Sequence, residues 1–98
     1  MTATPRTSVT EERLNKYFAI TREALDAASK AEKGDESQAA DFLDMATRYY
    51  EDAEHFKREG EWVTAFAALN YAHGWLDAGA RIRLFKVNDS RLFTVDEE

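Results

Sequence analysis

The segment that most constrains this chain runs from Trp62 to Phe85, WVTAFAALNYAHGWLDAGARIRLF, a helix-length stretch that is apolar around most of its circumference. At 100° per residue, Trp62, Ala65, Ala68, Leu69, Tyr71, Ala72, Trp75, Leu76, Ala80 and Ile82 spread over an arc of roughly 220°. The polar residues Asn70, His73, Asp77 and Arg81 gather on one stripe about 80° wide. A helix with so wide an apolar arc needs cover on most sides. It therefore belongs at the centre of the fold, with other elements packed around it.

Two further helices precede it. Ser8 or Thr10 can cap the first, and Glu11 and Glu12 place negative charge where a helix N-terminus favours it. Leu14, Tyr17, Phe18, Thr21, Leu25 and Ala28 keep one apolar face. Gly34 suits the left-handed position that ends a helix, and Asp35 can cap the next one. In the second helix, Ala39, Phe42, Ala46, Tyr49, Ala53 and Phe56 alternate at spacings of three and four. Leu43 and Tyr50 join this seam, and the opposite face is charged. Gly60 ends the helix, and the connection to the third is short enough to force antiparallel neighbours. The spacing predicts helices over 9–32, 36–59 and 61–85.

Composition narrows the function classes. Ninety-eight residues make a single domain. The absence of cysteine excludes disulfides, thiolate metal sites and cysteine nucleophiles. A net charge of −6 is a poor match for a phosphate backbone, so nucleic acid is not an expected partner. No stretch approaches the ~20 apolar residues of a membrane span, so no membrane is expected either. The opening MTATPRTSV lacks the apolar core of a signal peptide, which makes the cytoplasm the expected location.

The polar stripe of the third helix is the sharpest candidate site. His73 and Asp77 stand four apart on one face, as a hydrogen-bonded pair or as two metal ligands. A catalytic zinc site needs about three protein ligands, and the sequence marks no third. The competing reading is a solvated edge with Asp77 and Arg81 as a surface pair. Gly74 and Gly79 lie inside the helix, where glycine costs about 1 kcal/mol relative to alanine and suggests close approach by another element. Gly79 falls within the apolar arc; Gly74 falls beside the stripe. Trp62 and Trp75 read as core.

The run Tyr49–Phe85, with its aromatic and Ala-rich hairpin and the segment YAHGWLDAG from Tyr71 to Gly79, resembles the archaeal "domain of unknown function 357" family of short proteins. The resemblance implies a small antiparallel three-helix bundle of archaeal, cytoplasmic origin. It brings no established activity, and it draws attention to Tyr71, His73, Gly74, Trp75, Asp77 and Gly79.

The fold expected is all-α: an antiparallel up-down-up three-helix bundle with a short non-helical C-terminal tail. Residues 1–8 form a flexible arm, 9–86 the bundle, and 87–98 a tail that packs on the bundle or stays disordered. The surplus apolar arc is to be covered by Leu92, Phe93 and Val95 folding back, or by a second copy of the chain. The function expected is a non-enzymatic module that self-associates or binds a protein partner, with no catalytic residues, metal or cofactor. Asn70, Tyr71, His73, Gly74, Asp77 and Arg81 are the candidate interaction or ligand site. The alternative is a small-ligand or enzymatic domain using Asn70, His73, Asp77 and Arg81.

Overall fold

The computed structural model describes residues 8–95 and contains three helices, α1 (Glu11–Lys30), α2 (Glu36–Arg58) and α3 (Trp62–Arg81). They form the antiparallel up-down-up bundle that the sequence predicts. Of the expected N-terminal arm, residues 1–7 lie outside the described residues. Thr10 caps α1, its hydroxyl accepting from the Arg13 amide at 3.2 Å. Asp35 caps α2, its carboxylate accepting from the Gln38 amide at 2.9 Å. Each cap satisfies an amide that the first helical turn leaves without a backbone partner.

The α2 seam explains how α3 comes so close. Ala39, Ala46 and Ala53, seven residues apart, are fully buried, while Phe42, Tyr49 and Phe56 flank them half-buried. Small residues on the contact line let the helix backbones approach; the aromatics close the sides. Phe42 meets Trp75 edge-on with ring centroids 5.0 Å apart, and Tyr49 lies 4.5 Å from Tyr71. On the other side Tyr17 of α1 meets Phe66 of α3 at 4.8 Å, again edge-on. Such pairs contribute about 0.5–1.5 kcal/mol beyond burial. Both tryptophans are half-buried at the sides of α3 rather than in its core.

Two helix ends use the same device with different residues. After α2, Gly60 takes φ +77°, the Gly60 amide donates to Lys57 and the Glu61 amide to Phe56. After α3, the left-handed residue is Arg83 at φ +62°, with the Arg83 amide donating to Ala80 and the Leu84 amide to Gly79. Both are Schellman ends, in which a left-handed residue lets the chain satisfy the last carbonyls. The third helix therefore stops at Arg81 rather than Phe85. Nothing in RIRLF marks that stop, because arginine is not a left-handed residue by preference.

The reversal at Arg83 turns Leu84 and Phe85 inward, where both are buried. It also brings Phe85 beside Lys33 as an isolated antiparallel bridge, with the Gly34 amide donating to Leu84 and the Lys86 amide to Glu32. Gly34 is not left-handed, contrary to the expectation from sequence. Its lack of a side chain serves this crossing instead: a Cβ there would lie 2.5 Å from the Arg83 carbonyl oxygen. Gly79 serves packing in the same way, since a Cβ would fall 2.2 Å from the Phe85 ring.

The remaining chain crosses back over the bundle. Leu92 and Phe93 are 5% and 3% exposed and join Leu25, Leu76 and Phe85 in one apolar cluster. A second cluster, of Leu14, Ala53, Ala65 and Leu69, fills the other end.

Candidate functional site

The polar stripe of α3 divides in two. His73 and Asp77 face the C-terminal segment, whereas Asn70 and Arg81 are exposed. The His73 Nε2 lies 2.5 Å from the Leu92 carbonyl oxygen, and its Nδ1 lies 3.5 Å from the Thr21 hydroxyl. A carbonyl can only accept, so Nε2 donates to Leu92, and Nδ1 faces the Thr21 hydroxyl, which can either donate or accept. Thr21 is 2% exposed, and this contact gives its hydroxyl a partner on a neighbouring helix. One imidazole thus ties α1, α3 and the tail together.

Asp77 completes the attachment. Its Oδ1 accepts from the Thr94 amide at 2.9 Å, and its Oδ2 accepts from the Thr94 hydroxyl at 3.3 Å. The Asp77 carboxylate lies 4.0 Å from His73 Nε2, too far for a hydrogen bond. The expected Asp77–Arg81 surface pair is replaced by this tail contact. Upstream, Asp89 organises the turn: its carbonyl accepts from the Leu92 and Phe93 amides, and its carboxylate from the Arg91 amide. Arg91 then reaches Glu23 of α1 at 2.6 Å and Asp89 at 3.3 Å. Those two carboxylates raise the guanidinium above its already high ordinary value.

The tail roofs an open hollow of about 420 Å³, with His73, Asp77, Arg81, Arg91 and Thr94 on its walls. The polar groups at its floor are already engaged with the tail itself. Among the described residues, no group of three or more His, Cys, Asp or Glu is placed to hold a metal ion, and no helix is long and apolar enough to cross a membrane.

The other candidate residues belong to a different surface. Tyr71 is 59% exposed, and Gly74 has nothing within 4 Å of the place its Cβ would occupy. Together with Val63, Ala67, Ala78 and Ile82, all exposed, they form the outward face of α3, directly opposite its buried face. Tyr71 and Ile82 belong to the apolar arc read from the sequence, but this part of the arc stays exposed because the bundle covers only one side of α3 and the tail only one flank. Between Tyr71, Gly74, Trp75 and Ala78 lies a shallow apolar hollow of about 320 Å³.

Sequence reasoning from the polar stripe thus found Tyr71 and Gly74 on this face and missed Val63, Ala67, Ala78 and Ile82. The signal was available, since these residues recur at spacings of three and four. It was hidden because α3 shows the same spacing on its buried side. The partners of His73 and Asp77 had no signal at all: two of them are backbone groups of the tail.

The fold and these surfaces define a small all-helical bundle whose central helix is clamped on one flank by the chain's own C-terminal segment and left bare on its outer face. By sequence the chain belongs to the family described as a protein of unknown function (DUF357), whose model matches residues 16–85. No curated protein and no solved structure matches it.

Proposed function

We propose that the protein is a non-enzymatic interaction module that docks through the outer face of α3. The observation that carries this reading is the exposed, uncharged run Val63, Ala67, Tyr71, Gly74, Ala78 and Ile82 on a chain that is otherwise one-third charged. Scattered exposed apolar residues are ordinary; a contiguous apolar face along a whole helix marks an interaction surface. Arg81 is the single charge at its edge.

The ligand or enzyme reading, built on Asn70, His73, Asp77 and Arg81, has less support. His73 and Asp77 spend their hydrogen bonds on Thr21, Leu92 and Thr94, and Asn70 and Arg81 are exposed and make no hydrogen bond to either of them. The absence of cysteine offers a clean test. Ala78→Cys and Asp52→Cys place one thiol each on the α3 outer face and on the charged face of α2. Maleimide labelling inside cells of the native host should be several-fold slower at position 78. Equal labelling at the two positions would remove the interaction reading.

A further inference from the structure

We infer that the occupant of the α3 outer face is a second copy of this chain, packed antiparallel about a two-fold axis; this rests on the interaction reading above. The reason lies in the order of residues along the face. A two-fold axis crossing the helix between Ala72 and His73 pairs position n with position 145 − n. Val63 then meets Ile82, and Ala67 meets Ala78. Tyr71 meets Gly74. The face is complementary to its own reverse: the bulky ends meet, the small residues meet, and the largest side chain meets the residue with none.

Gly74 is the independent observation. Gly34 and Gly79 are each required by an atom of this chain within 2.5 Å of the missing Cβ, and Gly60 by its positive φ. Among the described residues nothing gives Gly74 such a reason. It sits in mid-helix, in ordinary helical geometry, with open space around it, and it forms the floor of the hollow beside Tyr71. A Tyr71 ring from an opposing copy accounts for that hollow.

Charge agrees with the antiparallel choice. Arg81 has no ion-pair partner among the described residues, and neither has the side chain of Glu61 at the α3 N-terminus. The two-fold sets the Arg81 of each copy beside the N-terminal turn of the other, within reach of its Glu61. A parallel arrangement would instead place Arg81 beside Arg81. A face as long as this helix, about 30 Å, and about 15 Å wide covers roughly 450 Å² per copy, or about 900 Å² in all, which is smaller than a standard specific interface and in the range of weak, transient pairs. Association is therefore expected to be weak and reversible.

Sedimentation equilibrium on the full chain from about 1 to 300 µM should show a mass rising from the 11.2 kDa of one chain to twice that value. Gly74→Arg replaces a poor helix former by a good one in open space and fills the hollow. It should abolish the dimer while leaving the melting temperature of the dilute monomer unchanged or higher. Orientation is read by mixing Ala67→Cys chains with Ala78→Cys chains under oxidation: the antiparallel pair gives mixed 67–78 disulfides, a parallel one gives 67–67 and 78–78. A single chain mass throughout the range, a Gly74→Arg dimer as tight as the parent's, or like-with-like disulfides would each overturn the proposal. A monomer in solution whose position 78 is still protected in cells would reject the second copy alone; a monomer with position 78 unprotected would reject the interaction reading as well.

Discussion

Two glycines five residues apart on α3 should respond to alanine with opposite signs. At Gly79 the new Cβ would lie 2.2 Å from one Phe85 ring carbon and 2.9 Å from two others, where an unstrained contact needs about 3.5–4.0 Å. The ring must recede by more than 1 Å, yet Phe85 is fully buried and backed by Leu84, Leu92 and Phe93 in one cluster. Overpacking of this kind costs about 1–3 kcal/mol, and loss of the phenylalanine seat about 3–5 kcal/mol. Against either stands a helix-propensity gain of about 1 kcal/mol. The depth of the clash places Gly79→Ala near a net loss of 2 kcal/mol, roughly a 10 °C fall in melting temperature for a domain of this size. Gly74→Ala meets no atom and keeps only the propensity gain, about 1 kcal/mol or some 5 °C upward. Urea denaturation and thermal melts on dilute protein measure both. Gly79→Ala as stable as the parent would refute the placement of Phe85, and with it the account of how the chain closes after α3.

Four other outcomes follow from the same contacts. His73→Ala removes the tie among Thr21, α3 and Leu92, and should cost about 1–3 kcal/mol because the buried Thr21 hydroxyl loses its partner; amide exchange over residues 91–95 should accelerate with it, and unchanged exchange would dissociate His73 from the tail. Gly34→Ala forces its Cβ against the Arg83 carbonyl and should cost about 1–3 kcal/mol, with earliest loss of protection at the Gly34 and Lys86 amides; a neutral effect would contradict the crossing. Tyr50 has its phenol pushed above the usual value by burial, helped by Glu54 and Asp26 and opposed by Arg22; the folded state therefore holds the proton longer than the unfolded one, and stability present below about pH 10 is lost as pH rises through the folded value, a slope that Tyr50→Phe should flatten in alkaline melts. The Arg91–Glu23 pair is exposed, so Arg91→Ala should lower the melting temperature little, and that small effect should shrink in 1 M salt; a large, salt-insensitive loss would mean the tail hangs on this pair rather than on Leu92 and Phe93.

How much of this was legible depended on whether a residue type carries its own geometric meaning. The α2 seam was readable because small and aromatic residues alternate at helical spacing over a charged back. Thr10, Asp35 and Gly60 were readable because hydroxyls, carboxylates and glycines are what helix ends need. Arg83 holds the same left-handed position as Gly60 but carries no such mark, so the end of α3 and the inward turn of Leu84 and Phe85 were not. The polar stripe was readable as a stripe, but its partners were not. The Leu92 carbonyl and the Thr94 amide belong to every residue type alike, so no pattern of side chains could announce them.

The breadth of the apolar arc on α3, which made the segment conspicuous, resolves into coverings of different kinds. One side, through Ala65, Leu69, Ala72, Leu76 and Ala80, is the bundle core. Gly79 is covered by Phe85, which the reversal at Arg83 delivers. The His73–Asp77 flank is covered by a segment that lies outside the family match, so the tail attaches to residues inside that match while being no part of it. These coverings account for one of the two glycines in α3, Gly79, and for its buried face. What they leave bare is not a random remainder: Val63, Ala67, Tyr71, Gly74, Ala78 and Ile82 are consecutive along one face, and they include Gly74, a helical glycine that no contact among the described residues justifies. A chain of net charge −6 opposes its own pairing at low ionic strength. If the bare face pairs through apolar burial, screening removes that opposition and the dimer should tighten between 0.05 and 1 M salt. If it pairs through Arg81 and Glu61 alone, the same titration should loosen it.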